Sequence, residues 1–385
     1  MECVNFDQAA GSFPKPPCVA QAMVHYIDEI GSNVNRGSYA QAISAMDTVV
    51  ETRMALADFF GCENARNVIF TAGITASLNM LLQGLLHAGD HVITTSMEHN
   101  AVLRPLAALA KNNVEATILP CNVNGTLSPE ALRCAIKPNT RAVIAIHASN
   151  VCGTLLPLAQ IGAICHEKNI FFIVDSAQTA GVFPIDMQQM HIDGLAFAGH
   201  KGMLGPQGIG GFLLSNTLAQ ALEPTVFGGT GSFSDRETMP DRLPDKFEPG
   251  TLNLPGIYGL AAALRWIQKT GIDTIRQKEQ ALTQQMLAGL AQMPHVFVPG
   301  ISAENKRAAV VSVDCIGRDN AEITDRLAQE AGVLTRCGLH CAPRAHQTLG
   351  TFPQGTIRFS FGYWNTAQQV NGALAALQRI LSERQ

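Results

Sequence analysis

A single lysine, Lys201, lies in an unusual stretch of sequence, FAGHKGMLGPQGIGG (residues 197–211). Glycine, proline and apolar residues surround it, and none of the ten residues that follow it is charged. An unpaired ammonium group is unfavourable in a core, and these neighbours do not make a solvated surface. We therefore interpret Lys201 as a reactive amine.

Asp175 is the second residue that could take part in such chemistry. It follows the apolar run IFFIV, where a carboxylate is unfavourable unless it meets a cation. Lys201 lies 26 residues further along (201 − 175 = 26), about one connection and one strand, so both side chains can reach one site. The alternative is that Asp175 only caps the next turn.

Three further positions follow predicted strands. Residues 73–75, Gly-Ile-Thr, connect the strand NVIFT to a helix, and the unpaired N–H groups of a helix N-terminus suit a phosphate. His99 follows the strand HVITTS, and Asn150 follows RAVIAIHAS. Taken singly, these residues have plain structural alternatives, because Thr75 could be an ordinary N-cap and the other two could be turn or cap residues.

Their combination favours a cofactor site. In open α/β sheets ligands bind at the carboxyl ends of the strands, where these residues are predicted to lie. Pyridoxal phosphate (PLP) requires a lysine for its Schiff base, an anion beside its pyridine nitrogen and donors for its phosphate. Lys201, Asp175 and the segment 73–75 supply one of each.

The chain that positions these residues alternates between strands and helices from residue 67 to about 215. Its strands are nearly continuous apolar runs, which is typical of a mainly parallel sheet covered on both faces. The seven predicted strands span 67–71, 91–96, 114–120, 141–149, 170–177, 194–199 and 208–215. One of the helices between them is predicted to begin with Ser128 as N-cap and Pro129 at its first position.

After about residue 265 the pattern changes to that of a smaller α+β domain. Predicted helices at 273–293, at 321–332 and from Thr366 alternate with short strands. We expect a large α/β domain at 14–260 and a small domain made of 1–13 and 261–385. Residues 225–256, rich in Gly, Pro and Asp, are predicted to form a long loop of the kind that usually has a function.

Composition restricts the class of protein. The 385 residues are 46% hydrophobic and 15% charged, which is enough for a large core. A net charge of −4 creates no strong field that would attract nucleic acid or an anionic membrane. The longest uncharged stretch, 142–165, is interrupted by polar residues and Pro157 and reads as a strand, a loop and a helix start. With no secretion signal at the N-terminus, we expect a cytoplasmic protein.

The ten cysteines are scattered and include no Cys-x-x-Cys pair, so neither disulfides nor a metal site is predicted. Most of them fit small apolar residues in a reducing compartment. Cys341, in the segment RCGLHCAPRAH, is the exception.

Six segments in fixed order resemble the class V aminotransferase fold and, within it, the cysteine desulfurase and selenocysteine lyase branch. They are MEHNAVLRP, HASNVCGTLLPL, VDSAQTAG, AGHKGMLGPQGIGG, RCGLHCAPRAH and GTIRFSFGYWNT. The similarity extends from NFDQAAG at residue 5 to Thr366. It implies the type I fold of PLP-dependent transferases, an α/β fold whose large domain has a mainly parallel seven-stranded sheet and whose second domain is smaller and α+β.

The resemblance also implies roles for the residues at matching positions. Lys201 resembles the Schiff-base lysine and general base, Asp175 the partner of the pyridine nitrogen, and His99 the ring that stacks on the cofactor. By the same resemblance, Gln178 and Asn150 would contact the ring hydroxyl or the substrate. Ile74, Thr75 and His200 would bind the phosphate, and Thr251 would bind the phosphate of the neighbouring subunit. Arg358 would bind the substrate carboxylate, and Arg36 would lie in the substrate pocket. The implied role of Thr251 makes the protein a homodimer with shared active sites.

Cys341 falls where the family carries its nucleophilic cysteine, which takes the substrate's sulfur as a persulfide. His340 and Arg336 are expected to favour the thiolate. The alternative is a loop cysteine without function. Ala198 departs from the family, whose members usually have a hydroxyl residue there as a further phosphate donor.

The predicted function is that of a PLP-dependent cysteine desulfurase. It would act on L-cysteine or L-selenocysteine, release alanine and pass sulfur to an acceptor protein or small molecule. The alternatives are a selenocysteine lyase or another carbon–sulfur lyase that does not require Cys341. A class V transaminase and a non-catalytic sulfur-carrier scaffold are less favoured.

Overall fold

The computed structural model describes residues 3–34, 37–301 and 306–383. Its strands are β1 (Val4–Asn5), β2 (Val68–Thr71), β3 (His91–Thr95), β4 (Glu115–Leu119), β5 (Thr140–Ile146), β6 (Phe171–Asp175), β7 (Gly194–Ala198), β8 (Gly210–Leu214), β9 (Val296–Phe297), β10 (Val310–Cys315), β11 (Val333–Leu334), β12 (Arg336–Gly338) and β13 (Thr356–Ser360). Its α-helices are α1 (Pro17–His25), α2 (Ala40–Phe60), α3 (Ile74–Leu85), α4 (Asn100–Leu109), α5 (Pro129–Ala135), α6 (Leu158–Glu167), α7 (Asn216–Ala221), α8 (Leu254–Thr270), α9 (Ile272–Leu290), α10 (Asn320–Ala331), α11 (Pro343–Leu349) and α12 (Ala367–Ser382).

The central sheet has seven strands in the order β2-β8-β7-β6-β5-β3-β4. Only β8 runs antiparallel to its neighbours, so the predicted mainly parallel seven-stranded sheet is confirmed. The inner strands β3, β7 and β8 are buried along their whole length, and β5 and β6 are buried except at their first residues, because helices cover both faces. In β5 the side chains alternate between the two cores: Val143 and Ala145 belong to one, and Ala142 and Ile144 to the other.

A second, antiparallel sheet has the order β12-β13-β10-β9. Its core is completed by residues of α9, α10 and α12. The N-terminal strand β1 lies beside this part of the chain, because it pairs in parallel with β11. A parallel bridge between Asp7 and Ser360 continues that attachment to β13.

Element boundaries differ in small ways from the sequence predictions. The seven strands predicted for the central sheet are each one to three residues too long. Ser128 is the N-cap of α5 by position, but its side chain accepts no hydrogen bond there. The loop predicted at 225–256 lies between α7 and α8. It ends at residue 253, because α8 begins earlier than expected, at Leu254. None of the described helices has the length and apolar composition needed to cross a bilayer.

Candidate active site

The carboxyl edge of the central sheet brings Asp175 and Lys201 to neighbouring strand ends. Asp175 is the last residue of β6, and Lys201 comes three residues after the end of the adjacent strand β7. Asp175 is buried, and its Oδ1 accepts a hydrogen bond from the Ala177 amide at 2.9 Å. Burial raises the pKa of Asp175, while that amide and the positive charge of Lys201 oppose the rise. Asp175 therefore caps the turn after β6, as the alternative interpretation held, and Lys201 is also close enough for its charge to act on the carboxylate.

The amine of Lys201 lies where a neutral form is accessible. Burial lowers the pKa of Lys201 to about 8, with Asp175 opposing the shift and the guanidinium groups of Arg358 and Arg336 adding to it. No salt bridge joins the two described residues Lys201 and Asp175. A lysine with this pKa has a substantial neutral, nucleophilic fraction near physiological pH.

The N-terminal segment holds the peptide groups around Lys201 in place. Ser12 donates its hydroxyl to the carbonyl oxygen of Lys201 at 3.0 Å and its amide to that of His200 at 3.0 Å. Lys15 donates its ammonium group to the His200 carbonyl and to the Ser12 hydroxyl, both at 2.7 Å. Further along this edge, Gln178 donates its side-chain amide to the carbonyl of Ala9 at 3.2 Å.

His99 presents a neutral ring at the start of α4. It is the N-cap residue, and its Nδ1 accepts a hydrogen bond from the Ala101 amide at 3.0 Å. Burial, together with the smaller effect of the positive charge of Lys201, lowers the pKa of His99 to about 4. A neutral imidazole with Nδ1 as acceptor carries its proton on Nε2, which leaves an aromatic face that is free of charge.

The N-terminus of α3 has free amide groups. Gly73, not Thr75, is the N-cap, and no side chain caps the helix, so the alternative that Thr75 is an ordinary N-cap is wrong. The Thr75 side chain is exposed, whereas Ile74 is buried. Gly210 matters here, since a Cβ on it would lie 2.9 Å from the Gly73 Cα and 2.8 Å from the Phe197 carbonyl oxygen. The turn before α3 can therefore pack directly against β7 and β8.

Arg358 and Asn150 form a buried polar group on the other side of the site. Arg358 donates Nη2 to Asp7 Oδ1 at 2.6 Å and Nη1 to the Asn150 carbonyl at 3.2 Å. Asn150 donates Nδ2 to the His340 carbonyl at 2.7 Å. Two atoms of this group, Asn150 Oδ1 and Arg358 Nε, are buried without a hydrogen-bond partner. Such atoms are places where a ligand can bind.

Cys341 is exposed in the short connection between β12 and α11. Its carbonyl accepts a hydrogen bond from the Asn100 amide at 2.7 Å, which fixes this loop to the start of α4 beside His99. His340 and Cys341 both have left-handed φ angles, of 48° and 57°, which non-glycine residues rarely adopt. Thr75, His99, Arg104 and Cys341 line one surface pocket of about 360 Å³.

The expectation that His340 helps to ionise Cys341 is wrong. His340 is buried, and its Nε2 faces the carbonyl and hydroxyl of Thr356 at 3.1 and 3.2 Å. Burial lowers the pKa of His340 to about 2, and the neighbouring Arg358 adds to that shift. A neutral His340 adds no positive charge near the thiol.

One predicted site residue that the structure describes lies apart from the hydrogen-bonded groups above. Thr251 is exposed in the loop before α8 and takes part in none of the hydrogen bonds formed by the described residues. Arg36 lies outside the described residues.

Known proteins resemble this chain over nearly its whole length. The Aminotransferase class-V family model matches residues 4–372. The chain belongs to this family. A probable cysteine desulfurase of Pyrococcus abyssi is 32% identical over 390 residues, covering 99% of this chain and 94% of that protein. A cysteine desulfurase of Yersinia pestis is 32% identical over 388 residues, covering 98% of this chain and 93% of that protein.

Solved structures agree with the family assignment. The apo structure of a cysteine desulfurase from Thermococcus onnurineus has a TM-score of 0.92 and 30% sequence identity, covering 98% of this chain and 94% of that one. The type I fold predicted for this class V aminotransferase-family chain is therefore confirmed.

The residues of this class V aminotransferase-family chain fit the PLP that the family implies. A lysine with a lowered pKa lies near a buried carboxylate, and the neutral ring of His99 follows β3, which is separated from β6 by β5 alone. The first turn of α3 offers uncapped amides for a phosphate. His200 lies next to Lys201, and burial lowers its pKa to about 4, so it approaches an anion as a neutral donor.

Several residues of this site could not be recognised from sequence. Asp7, Ser12 and Lys15 lie 185 to 351 positions from their partners, and no periodicity links such distant residues. Glu98, adjacent to His99, is completely buried, and its Oε1 accepts from the Thr95 hydroxyl at 2.6 Å and the Ile146 amide at 2.9 Å. Burial raises the pKa of Glu98 to about 8, so it bridges the ends of β3 and β5 largely as a neutral acid. Its position beside His99 in MEHNAVLRP was the only available signal.

Proposed function

We propose that the protein is a PLP-dependent cysteine desulfurase that releases alanine and carries sulfur as a persulfide on Cys341. The observation that carries this proposal is the hydrogen bond from the Asn100 amide to the Cys341 carbonyl. It attaches the backbone of the exposed Cys341 to the start of α4, next to His99, and the two residues line one pocket. The curated relatives named cysteine desulfurases support the same assignment.

We assign the following roles to the predicted site residues. Bound at this site, PLP would supply an electron-accepting pyridine ring. Asp175 would hold a proton on the ring nitrogen, His99 would cover the ring face, and Lys201 would move the proton of the substrate Cα. Ile74, Thr75 and His200 would bind the phosphate, and Gln178 and Asn150 would contact the ring hydroxyl or the substrate. Arg358 would bind the substrate carboxylate, and Arg36 would lie in the substrate pocket.

The sulfur step uses the Cys341 thiolate. It attacks the sulfur of the substrate, so that an S–S bond forms as the Cβ–S bond breaks. Cys341 keeps the persulfide, and the remaining three-carbon unit leaves as alanine after protonation. An acceptor protein or small thiol then removes the sulfur. The open position of Cys341 gives such an acceptor access.

We also propose a cytoplasmic homodimer with shared sites, built from the large domain at 14–260 and the small domain at 1–13 and 261–385. Exposed apolar side chains on one helix, Ile43, Val50 and Met54 of α2, support association of two copies. In that dimer Thr251 would reach the partner's phosphate site. Sedimentation equilibrium measures the mass, and restored activity on mixing Lys201→Ala with Thr251→Ala protein tests whether sites are shared.

The Cys341→Ala variant tests the proposed activity. We expect loss of sulfide release from L-cysteine, with at least a hundredfold lower alanine formation, while the bound cofactor keeps its near-visible absorbance. Cys341→Ser is the control for side-chain size, and Cys337→Ala, at a cysteine four positions earlier on β12, is the control for cysteine loss. Unchanged alanine formation in Cys341→Ala would show instead a lyase that does not need this thiol.

A further inference from the structure

Arg358 and Asp7 form an ion pair whose two members differ in exposure. The Arg358 side chain is 2% exposed in the middle of β13, whereas the Asp7 side chain is 28% exposed at the edge of the site. A single hydrogen bond joins them, from Nη2 to Oδ1 at 2.6 Å. The pair spans 351 residues of sequence, so folding of the N-terminal segment is what supplies the carboxylate.

The backbone holds Asp7 in place. The Asp7 amide donates to Asn5 Oδ1 at 2.7 Å, and Asp7 forms a parallel bridge with Ser360. On either side of it, the Ser360 amide donates to the Phe6 carbonyl at 2.6 Å and the Ala9 amide donates to the Ser360 hydroxyl at 2.8 Å. The carboxylate is therefore a fixed point beside Arg358.

The guanidinium group still has an unused donor. Its Nη1 is bound to the Asn150 carbonyl, and its Nε is buried without a partner. Leaving a buried charged donor unpaired is unfavourable, so the position of Nε points to an acceptor that arrives with a ligand. A carboxylate is the acceptor that matches the planar arrangement of guanidinium N–H groups.

We propose that Asp7 is a positioning residue for substrate recognition: it fixes the plane of the Arg358 guanidinium so that Nε faces the incoming α-carboxylate of an amino acid. The inference rests on the proposed function, because Arg358 is assigned there to the substrate carboxylate. Asp7 itself does not touch the substrate. Its loss removes orientation from the carboxylate subsite and leaves the amine-binding groups intact.

Two ligands separate this role from general damage to the fold. L-Alanine and L-alaninamide carry the same amine, but only alanine has a carboxylate. Each is titrated into the PLP-loaded enzyme, and the change in cofactor absorbance gives an equilibrium Kd. We expect Asp7→Ala to weaken alanine binding about tenfold, as lost hydrogen bonds to charged groups do, and to leave alaninamide binding unchanged. Asp7→Asn keeps an acceptor at the same place and should recover part of the loss.

A matched control removes an Arg–Asp hydrogen bond elsewhere. Asp273→Ala breaks the 2.8 Å contact with Arg276 on α9 and should change neither Kd. Equal weakening of both ligands by Asp7→Ala, or alanine binding as tight as in the unmodified enzyme, would overturn the role of Asp7. Tighter alanine binding in Asp7→Asn would also overturn it, since Asp7 would then only compete with the substrate.

Arg358→Gln distinguishes this inference from the proposed function. If Arg358→Gln weakens alanine selectively and Asp7→Ala does not, only the role of Asp7 fails. If Arg358→Gln affects alanine and alaninamide alike, the assignment of the substrate carboxylate to Arg358 fails, and with it the proposal that Asp7 orients it.

Discussion

Two buried arginines of this protein are paired with carboxylates, and they are paired in different ways. Arg53 of α2 meets Glu248, and Arg358 of β13 meets Asp7. In the first pair both side chains are nearly inaccessible, at 7% and 5% exposure. In the second pair, only the arginine side chain is nearly inaccessible, at 2% exposure, whereas Asp7 is 28% exposed.

The Arg53–Glu248 pair uses most of its hydrogen-bonding capacity within the chain. Arg53 donates to both oxygens of Glu248 and to the Val68 carbonyl, and its guanidinium lies 4.6 Å from the centre of the Phe70 ring. Glu248 also accepts the Phe70 amide at 2.6 Å. This pair attaches the loop before α8 to the edge strand β2, which leads directly into the turn before α3.

The Arg358–Asp7 pair, by contrast, has one hydrogen bond between its members and a buried Nε without a partner. Arg358 also influences the site at a distance, since its charge contributes to the lowered pKa of Lys201. The difference indicates that the first pair stabilises the fold, whereas the second keeps a donor available for a ligand.

Breaking the first pair should have the largest effect on stability. Glu248→Ala leaves the Arg53 guanidinium buried without its carboxylate, which typically costs about 3–5 kcal/mol. The unfolding midpoint in urea, followed by circular dichroism, measures the loss. A midpoint equal to that of the unmodified protein would contradict a structural role for this pair.

Breaking the second pair should affect substrate binding more than stability. In Arg358→Gln we expect KM for L-cysteine to rise by a factor of about 10 to 100, which corresponds to the loss of charged hydrogen bonds of roughly 1.5–3 kcal/mol. The urea midpoint should fall less than in Glu248→Ala, because the partly exposed Asp7 can be hydrated. The reverse order of the two midpoints would remove the distinction between the pairs.

The influence of Arg358 on Lys201 gives a smaller effect. Amine-reactive labelling of cofactor-free protein should reach half its maximal rate at Lys201 near pH 8, because only the neutral amine reacts. In Arg358→Gln the pKa should rise, so labelling at a fixed pH below 8 becomes slower. Peptide mass spectrometry quantifies the labelling of Lys201, and the surface variant Arg133→Gln is the control. If half-maximal labelling occurred at a lower pH in Arg358→Gln than in the unmodified protein, the expected influence of Arg358 on the pKa of Lys201 would be contradicted.

An exposed pair should show the smallest effect. Lys137 and Glu115 are in contact at 2.5 Å, but both side chains are more than 40% exposed. Water and salt screen such a pair, so Glu115→Gln should leave the urea midpoint unchanged within error. A shift comparable to that of Glu248→Ala would mean that burial does not explain the contrast.

Much of the fold and the centre of the site could be predicted from short stretches of sequence. Apolar runs separated by amphipathic helices predicted the parallel sheet, and Asp175 and Lys201 follow two of those runs. Their meeting needs only the rule that parallel strands share a carboxyl edge.

The same reasoning failed where burial changes the state of a side chain. His340 looked like a positive neighbour of Cys341, but it faces Thr356 in the interior and stays neutral. Desolvation depends on which distant segments cover a residue, and neighbours in sequence do not reveal them.

Local pattern was therefore sufficient for the strands, the order of the elements and the amine beside its carboxylate, because periodicity and strand ends act over a few residues. The partners of Arg358, Arg53 and the Lys201 peptide group could not be read in this way. They come from segments up to 351 residues away and become neighbours only when the chain packs. Long-range packing leaves no periodic trace in sequence, so Asp7, Glu248 and Ser12 acquire their roles in the folded protein alone.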